Sequence, residues 1–386
     1  MLTLKVCTFA LMSADSKSPF SSNFVNLTEI LAFRLGNTQQ STQKSIENSL
    51  IVKHKLQLLL ADLSTESLQQ KISPDSRKAF RQQKTLLELN ALFHKNQLSF
   101  LLLKGLALNQ ILHGSKLCRP SLDIDLLIAP KKIFTINDLL LAEGWQRISP
   151  DFEIKENQKN ILIKNFDQFL FHHPEKKVNL EIHWRLFRNN FILPLSFRDL
   201  WEEKQKIKIA NTEFLTIGNA HYLAYLLLHG FQHAWERLMW LVDIDILIKK
   251  STPEEIKKFI RLSEKYGFEK QVAITFSLLE NLLQTKNYPV EIKNKIHLKH
   301  REKAKSLIYN IPGSIDPPIN RKSFIYKLKR LAVEAEHSGS FRARLFYLYN
   351  YPFFLYQYVS LPEALAFLYP LFWPYVFVRN KLRNKN

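Results

Sequence analysis

Leu122-Asp-Ile-Asp-Leu-Leu-Ile128, led in by Arg119-Pro-Ser121 and stopped by Pro130, is the stretch on which the fold turns. Its apolar density and β-branched residues between turn signals read as a strand. In a strand, side chains at i and i+2 share a face, so Asp123 and Asp125 project together while Leu122, Ile124 and Leu126 turn to the core. Two adjacent carboxylates repel, and burial raises their pKa. A hard divalent cation removes that conflict, because Mg²⁺ accepts carboxylate oxygens and completes its shell with water and phosphate. The competing reading is a solvated pair at a strand edge.

Working outward, Leu98-Ser-Phe-Leu-Leu-Leu103 is a second strand, ending at Lys104-Gly105 and followed by a helix from Leu106 to His113. Ile161–Phe171 and Val178–Trp184 read as two more strands joined by the turn His173–Lys177. Lys206–Ala210 and Glu213–Ile217 suggest a hairpin around Asn211. In Val178-Asn-Leu-Glu-Ile-His-Trp184, Glu181 and His183 share one face while Leu180, Ile182 and Trp184 share the other. Glu181 is then a candidate third carboxylate, since phosphoryl transfer is commonly held by two ions; the alternative is an exposed glutamate. His183 either orients a carboxylate or is a hydrogen-bonded, half-buried histidine. Lys104 either neutralises phosphate charge or is a surface lysine at a turn. Arg119 either grips a phosphate with its fork or pairs with Asp123 or Asp125.

The flanks read as helical. Ile51, Leu56, Leu59, Leu60 and Leu63 recur on one helix face, as do Leu86, Leu89, Ala91, Leu92 and Phe93, with a break at Ser73-Pro-Asp75. From Asn219, a candidate N-cap, Tyr222–Lys249 forms a long helical pattern with a break near Gly230, and Ile311–Pro318 is a loop. His229 and His233 have the i, i+4 spacing of paired ligands. On one continuous helix, however, Asp243 lies about 15 Å from His233 at ~1.5 Å per residue, so bracing or packing is favoured for them. Asp243 and Asp245 diverge at helical spacing and form no second acidic centre. The expected regions are 24–95 (helical), 96–218 (α/β core), 219–310 (helical) and 311–386 (basic and aromatic). In the last, Phe341–Val378 is dense in aromatic and apolar residues. Its longest charge-free part, Ala364–Val378, holds Pro370 and Pro374 and is too short for a spanning helix. Arg379, Lys381, Arg383 and Lys385 follow. The segment either packs on the catalytic half or anchors at an anionic membrane surface.

With 386 residues, the chain exceeds one ordinary core. Nine glycines argue against Gly-rich phosphate loops and favour a mainly helical protein with a small sheet. The formal charge of +20 points to anionic partners such as nucleotide phosphates, RNA or anionic lipid, unless it reflects a solvated lysine-rich surface. Cys7 and Cys118 form no bridge framework or metal motif, and Leu4–Ala14 is a poor signal peptide, so the expected compartment is the cytoplasm.

Leu103-Lys-Gly-Leu-Ala, Arg119-Pro-Ser-Leu-Asp-Ile-Asp-Leu-Leu-Ile and Leu180-Glu-Ile-His-Trp-Arg-Leu, taken in order, resemble the uncharacterised nucleotidyltransferase family of bacteria within the polymerase-β-like superfamily. His221-Tyr-Leu-Ala-Tyr-Leu-Leu-Leu-His229 with Trp240-Leu-Val-Asp243 resembles its helical half. The resemblance implies an α+β fold, a small mixed sheet flanked by N- and C-terminal helices. It also implies transfer of a nucleoside monophosphate from an NTP to an acceptor: a small molecule, glycan, protein or RNA. Mg²⁺ or Mn²⁺ would sit on Asp123, Asp125 and Glu181, the nucleotide against Lys104, Gly105, Arg119, Ser121 and His183. Two departures stand out. The third acidic position, often Asp in the superfamily, is Glu181, and the usual Gly-Ser phosphate loop is replaced by Lys104-Gly105. The latter supports a second reading, a catalytically degenerate member that binds nucleotide or protein.

Overall fold

Short apolar runs separated by turn chemistry build a mixed seven-stranded sheet, ordered β3-β4-β5-β2-β1-β7-β6. Its strands are β1 (Phe100–Leu102), β2 (Ile124–Ile128), β3 (Gln146–Ser149), β4 (Gln168–His173), β5 (Val178–His183), β6 (Lys204–Ile209) and β7 (Thr212–Ile217). β2 runs parallel to β5 and antiparallel to β1, while β1 runs parallel to β7. The computed structural model describes residues 20–39, 46–61, 66–314, 354–372, 374, 375 and 379. Readings made on Leu4–Ala14, Cys7, Leu63, residues 315–318 and 341–353, and the tail cations Lys381, Arg383 and Lys385 lie outside them.

The chain divides into two compact units, Ser73–Tyr225 with Ser338–Asn386 and Met1–Ile72 with Leu226–His337. The first carries the sheet. Its core gathers Ile124, Leu126, Phe169, Leu180, Ile182 and Trp184 from the central strands, with Leu86, Leu89 and Phe93 from a helix. Helices α1 (Ser22–Arg34), α2 (Asn48–Lys53), α3 (Glu66–Lys95), α4 (Lys104–His113), α5 (Ile133–Ala142), α6 (Glu156–Asn165), α7 (Phe197–Glu202), α8 (Asn219–Gln232) and α9 (Leu238–Lys250) are followed by α10 (Pro253–Tyr266), α11 (Glu269–Leu283), α12 (Val290–Lys295) and α13 (Leu298–Ile308). In the second unit α11 is the hub: α1, α9, α10, α12 and α13 all pack on it, and eleven of its residues are buried. The α+β expectation, a small mixed sheet flanked by helices, is what the chain adopts.

Several local expectations need correction. The run 161–171 is not one strand: Ile161 and Leu162 are buried on the last turns of α6, and β4 begins only at Gln168. Gln158 starts that helix by accepting the Lys155 N–H through Oε1. The helix face read through 51–63 ends at Lys53, because Lys55 is left-handed and His54 is pinned between the Pro312 carbonyl and the Leu238 N–H. Pro74 does not break a helix; α3 runs through it. Ala91 is exposed, and the buried residues of α3 are Ala79, Gln82, Thr85, Leu86, Leu89 and Phe93 among the described side chains. Asn219 is the first residue of α8 rather than its cap. The break in the 222–249 pattern falls after Gln232, where Ala234 and Trp235 are left-handed. Gly230 stays helical, and the Trp235 ring folds back into the space a Cβ would need. The hairpin around Asn211 forms, with Ala210 and Asn211 both at positive φ. Among the described residues, no helix is long and apolar enough to cross a membrane.

Candidate metal centre

Parallel pairing of β2 with β5 sets Asp125 directly beside Glu181, and Leu127 beside His183. Because strand side chains alternate, Asp125, Glu181 and His183 share a face while Ile124, Leu180 and Ile182 fill the core behind them. One ring nitrogen of His183, Nε2, lies 3.1 Å from Asp125 Oδ1 and 3.1 Å from Glu181 Oε2. Ligand atoms of Asp125, Glu181 and His183 all lie within 4.8 Å of one another. Two carboxylates and an imidazole so placed form a buried cluster able to coordinate a divalent metal, and the donor set suits one.

A cation already leans into this cluster. The main chain of Leu103, just beyond β1, donates to the Asp125 carbonyl at 2.9 Å. That bond places the next residue so that Lys104 Nζ comes 3.5 Å from Asp125 Oδ1. Burial alone would lower the Lys104 pKa, but Asp125, Tyr225 and Glu181 outweigh it and hold the ammonium well above its ordinary value. The Tyr225 ring centroid lies 5.4 Å from Nζ, and burial pushes its phenol up to about 12. Asp125 is held well below the carboxylate range: burial works against it, and Lys104 with the His183 hydrogen bond prevail. His183 goes the other way. Burial would lower it, yet the hydrogen bonds it donates to Asp125 and Glu181 carry it to about 9.

Asp123 sits apart from that tight cluster, one residue before β2. Its carboxyl is raised to about 7 by burial and by the charges of Asp125 and Glu181, against the pull of Lys104 and His183. It therefore shares the electrostatics of the site without a place in the close ligand set. Leu122, expected in the core, is 51% exposed, since the strand has not yet begun there. Ser121 Oγ donates to the Asp123 carbonyl at 2.8 Å. The same Oγ would lie 3.0 Å from a Cβ on Gly105, whose φ is +45°. Glycine is needed there on both counts. The Lys104-Gly105 turn thus packs directly on the Ser121–Asp123 approach to the acidic strand. Arg119 is half-buried, and its N–H donates to Asn109 Oδ1 at 3.1 Å, which ties its loop to α4.

Two neighbours escaped the sequence reading. Tyr225 belongs to a stretch read only as apolar helix, and nothing local marks it as the partner of Lys104. Asp167, just before β4, is half-buried with its carboxyl raised by burial against the pull of His183, Arg188 and Lys104. It lies where the reading had run a strand straight through.

The profile of an uncharacterised nucleotidyltransferase family matches residues 48–284. The chain belongs to that family, within the polymerase-β-like superfamily. A search of the curated proteins finds none that matches the chain. The nucleotidyltransferase match takes in both β2 and β5, and with them the whole acidic cluster. His229 and His233 of this nucleotidyltransferase-family chain lie at the end of α8 and in the turn after it. Their rings meet each other at 4.6 Å between centroids and Trp240 at 5.3 and 5.4 Å. Among the described residues the one metal-ligand grouping of three side chains is Asp125, Glu181 and His183.

Proposed function

We propose that this protein is a metal-dependent nucleotidyltransferase that moves a nucleoside monophosphate from an NTP to an acceptor hydroxyl, phosphate or amine. The observation that carries the reading is the Asp125–Glu181 register across two parallel strands, with Asp123 two residues earlier and Lys104 at 3.5 Å. Asp123, Asp125 and Glu181 would hold Mg²⁺ or Mn²⁺, with His183 as an orienting or ligating neighbour. The bound ion supplies positive charge to the phosphates and the leaving pyrophosphate. Lys104, kept charged by its acidic neighbours, complements phosphate charge, and Arg119 adds a second cation. Gly105 lets the main chain approach the nucleotide closely, beside the Ser121 hydroxyl. An acceptor atom attacks the α-phosphorus, its bond forms as the bond to pyrophosphate breaks, and the acceptor's proton leaves to solvent or a carboxylate. This reading assigns the chemistry to residues 96–218.

The test offers labelled NTPs and Mg²⁺ or Mn²⁺ with candidate acceptors to wild type and to Asp123→Ala/Asp125→Ala. Transfer should be lost from the double variant, and equal transfer by both proteins would sink the assignment. A second reading has one observation in its favour: Lys104, in place of a hydroxyl-bearing residue, is ion-paired within the acidic cluster. A degenerate member that only binds nucleotide would show calorimetric NTP affinity indifferent to divalent cations.

A further inference from the structure

We propose that the exposed apolar residues Phe367, Leu371 and Tyr375 dock the protein on an anionic lipid surface. The stretch just before them is fastened to α6. Gln158 Nε2 donates to the Tyr356 carbonyl at 2.8 Å, Asn157 Nδ2 to Ser360 Oγ at 3.1 Å and Asn160 Nδ2 to Glu363 Oε2 at 3.2 Å, and Lys164 pairs with Glu363. Tyr356 and Tyr369 are buried against each other at 4.7 Å between ring centroids. Tyr369 Oη also accepts from Leu361 N–H and donates to the Val359 carbonyl, both at 3.2 Å. Residues 356–369 are therefore held in place by α6 and by the Tyr356–Tyr369 pair.

Past Glu363 the chain is apolar and largely exposed. The 3-10 turn Glu363–Leu368 runs on into helical residues at 369–372, 374 and 375. Along it Phe367 is 70% exposed, Leu371 73% and Tyr375 61%, with Leu365 at 41%. Phe367, Leu371, Tyr375 and the exposed Arg379 recur every four residues. Scattered exposed apolar residues need no explanation, but several large ones within one short stretch do. No charged residue occurs between Glu363 and Arg379, no acidic residue follows Glu363, and Arg379, Lys381, Arg383 and Lys385 close the sequence. These residues lie beyond the family match, which ends at residue 284.

Charge selects the occupant. A second copy would set basic tail against basic tail on a chain of net charge +20, which opposes pairing. RNA would satisfy the cations but leave Leu365 and Leu371 against a polar backbone. A bilayer with anionic headgroups satisfies both: acyl chains take Phe367, Leu371 and Tyr375, and headgroups take the basic residues that follow.

Vesicle co-sedimentation of the full chain tests this with phosphatidylcholine vesicles and with vesicles of phosphatidylcholine mixed with phosphatidylglycerol. Wild type should partition onto the anionic vesicles and not the neutral ones. Phe367→Ser/Leu371→Ser/Tyr375→Ser should weaken partitioning by about tenfold or more, with little change in Tm because these side chains are mostly exposed. Arg379→Glu/Lys381→Glu should weaken it by at least about fivefold per residue. Absence of wild-type binding, or binding unchanged in the triple serine variant, overturns the proposal. So does a Tm fall of more than about 5 °C in that variant, which would make the stripe internal packing. A wild-type dimer in sedimentation velocity that the triple variant abolishes, or retention on RNA in place of vesicles, would give the face to another occupant and equally overturn it.

Discussion

Asp-Ile-Asp occurs twice in the chain, at 123–125 leading into β2 and at 243–245 inside α9. In α9 the two aspartates are separated by about 200° around the helix axis, so each meets a different environment. Asp245 is fully enclosed. Thr285 Oγ1 donates to its Oδ1 at 2.5 Å and Asn37 Nδ2 at 3.2 Å, while Lys249 Nζ donates to Oδ2 at 2.6 Å. Lys249 is itself held by the Leu35 carbonyl at 2.9 Å and Asn37 Oδ1 at 2.6 Å. That network joins α1, α9 and the end of α11 and satisfies the charge it buries. In β2 the tripeptide lies in extended chain, and a second strand adds Glu181 at the register of Asp125. Three carboxylates then share Lys104 and His183, and Asp123 is left with a carboxyl raised to about 7. The helix surrounds its aspartate with donors, whereas the strand pair leaves one carboxyl disfavoured by burial and by its neighbours' charge.

The largest expected effects have opposite signs at the two motifs. Asp245→Ala should lower stability by roughly 2–3 kcal/mol, the cost of leaving the buried Thr285 and half-buried Asn37 donors without their acceptor. Asp123→Asn should instead raise stability at pH 8 by on the order of 1 kcal/mol, since it removes like-charge repulsion that solvent partly screens, while transfer falls by about a hundredfold or more. Urea unfolding of both variants beside wild type reads the stability signs. Two variants destabilised alike would erase the distinction.

Both tripeptides look the same in sequence, and period alone separates them. That signal sufficed for β2 and β5, where the alternation of acidic and apolar residues put Asp125, Glu181 and His183 on one face. It failed at Ile161-Leu-Ile163, because a short apolar run fits a helix end as well as a strand. It failed at Pro74, which α3 accommodates, and at Leu122, which lies just outside the strand whose alternation it shares. The Lys104–Tyr225 and Asp167–His183 relations were beyond reach, since each is made by elements folding together from distant positions. The positive φ of Gly105 likewise has no local marker beyond the glycine itself.

Proton linkage sharpens the comparison. His183 titrates at about 9 in the fold against an ordinary value near 6.5, so the folded chain binds its proton more tightly than the unfolded one. Stability from that proton is complete below about pH 6.5 and is lost as pH rises through 9, a loss of roughly 2–3 kcal/mol. Asp123, raised to about 7, also loses stability as it ionises, over the lower window from about pH 4 to 7. In EDTA-treated protein, chemical unfolding between pH 6.5 and 9 should show the decline in wild type and in Asp245→Ala, and a flatter profile in His183→Gln. Added Mn²⁺ should raise Tm more at pH 9 than at 6.5, because the His183 proton competes with the metal. A decline that survives His183→Gln unchanged would assign it elsewhere.

Gly105→Ala comes next in size. A Cβ there would require a left-handed φ and would press on Ser121 Oγ at 3.0 Å and the Asp123 carbonyl at 3.4 Å. The expected cost is about 1–2 kcal/mol, with weaker NTP binding as the Ser121–Asp123 approach shifts. Gly267, also left-handed but with nothing near its missing Cβ, is the control: Gly267→Ala should cost stability and leave NTP affinity untouched. Calorimetry with NTP on both variants separates strain from displacement of the site.

The smallest effect is expected one residue before each tripeptide. Val242, preceding Asp243, is fully buried, whereas Leu122, preceding Asp123, is 51% exposed. Val242→Ala should therefore cost more than about 1 kcal/mol by leaving unfilled core volume, and Leu122→Ala less than about 0.5 kcal/mol. The second number matters more, because strand alternation carried one residue too far would put Leu122 in the core and make the two variants equal. Urea midpoints of the pair decide it. Near-equal losses would mean that β2 begins earlier than Ile124 and that Asp123 belongs to the strand proper, directly alongside Asp125 in the ligand set. A small loss at Leu122 keeps Asp123 at the mouth of the site, where its carboxylate can move between a proton and a metal while Asp125 and Glu181 stay fixed by the sheet.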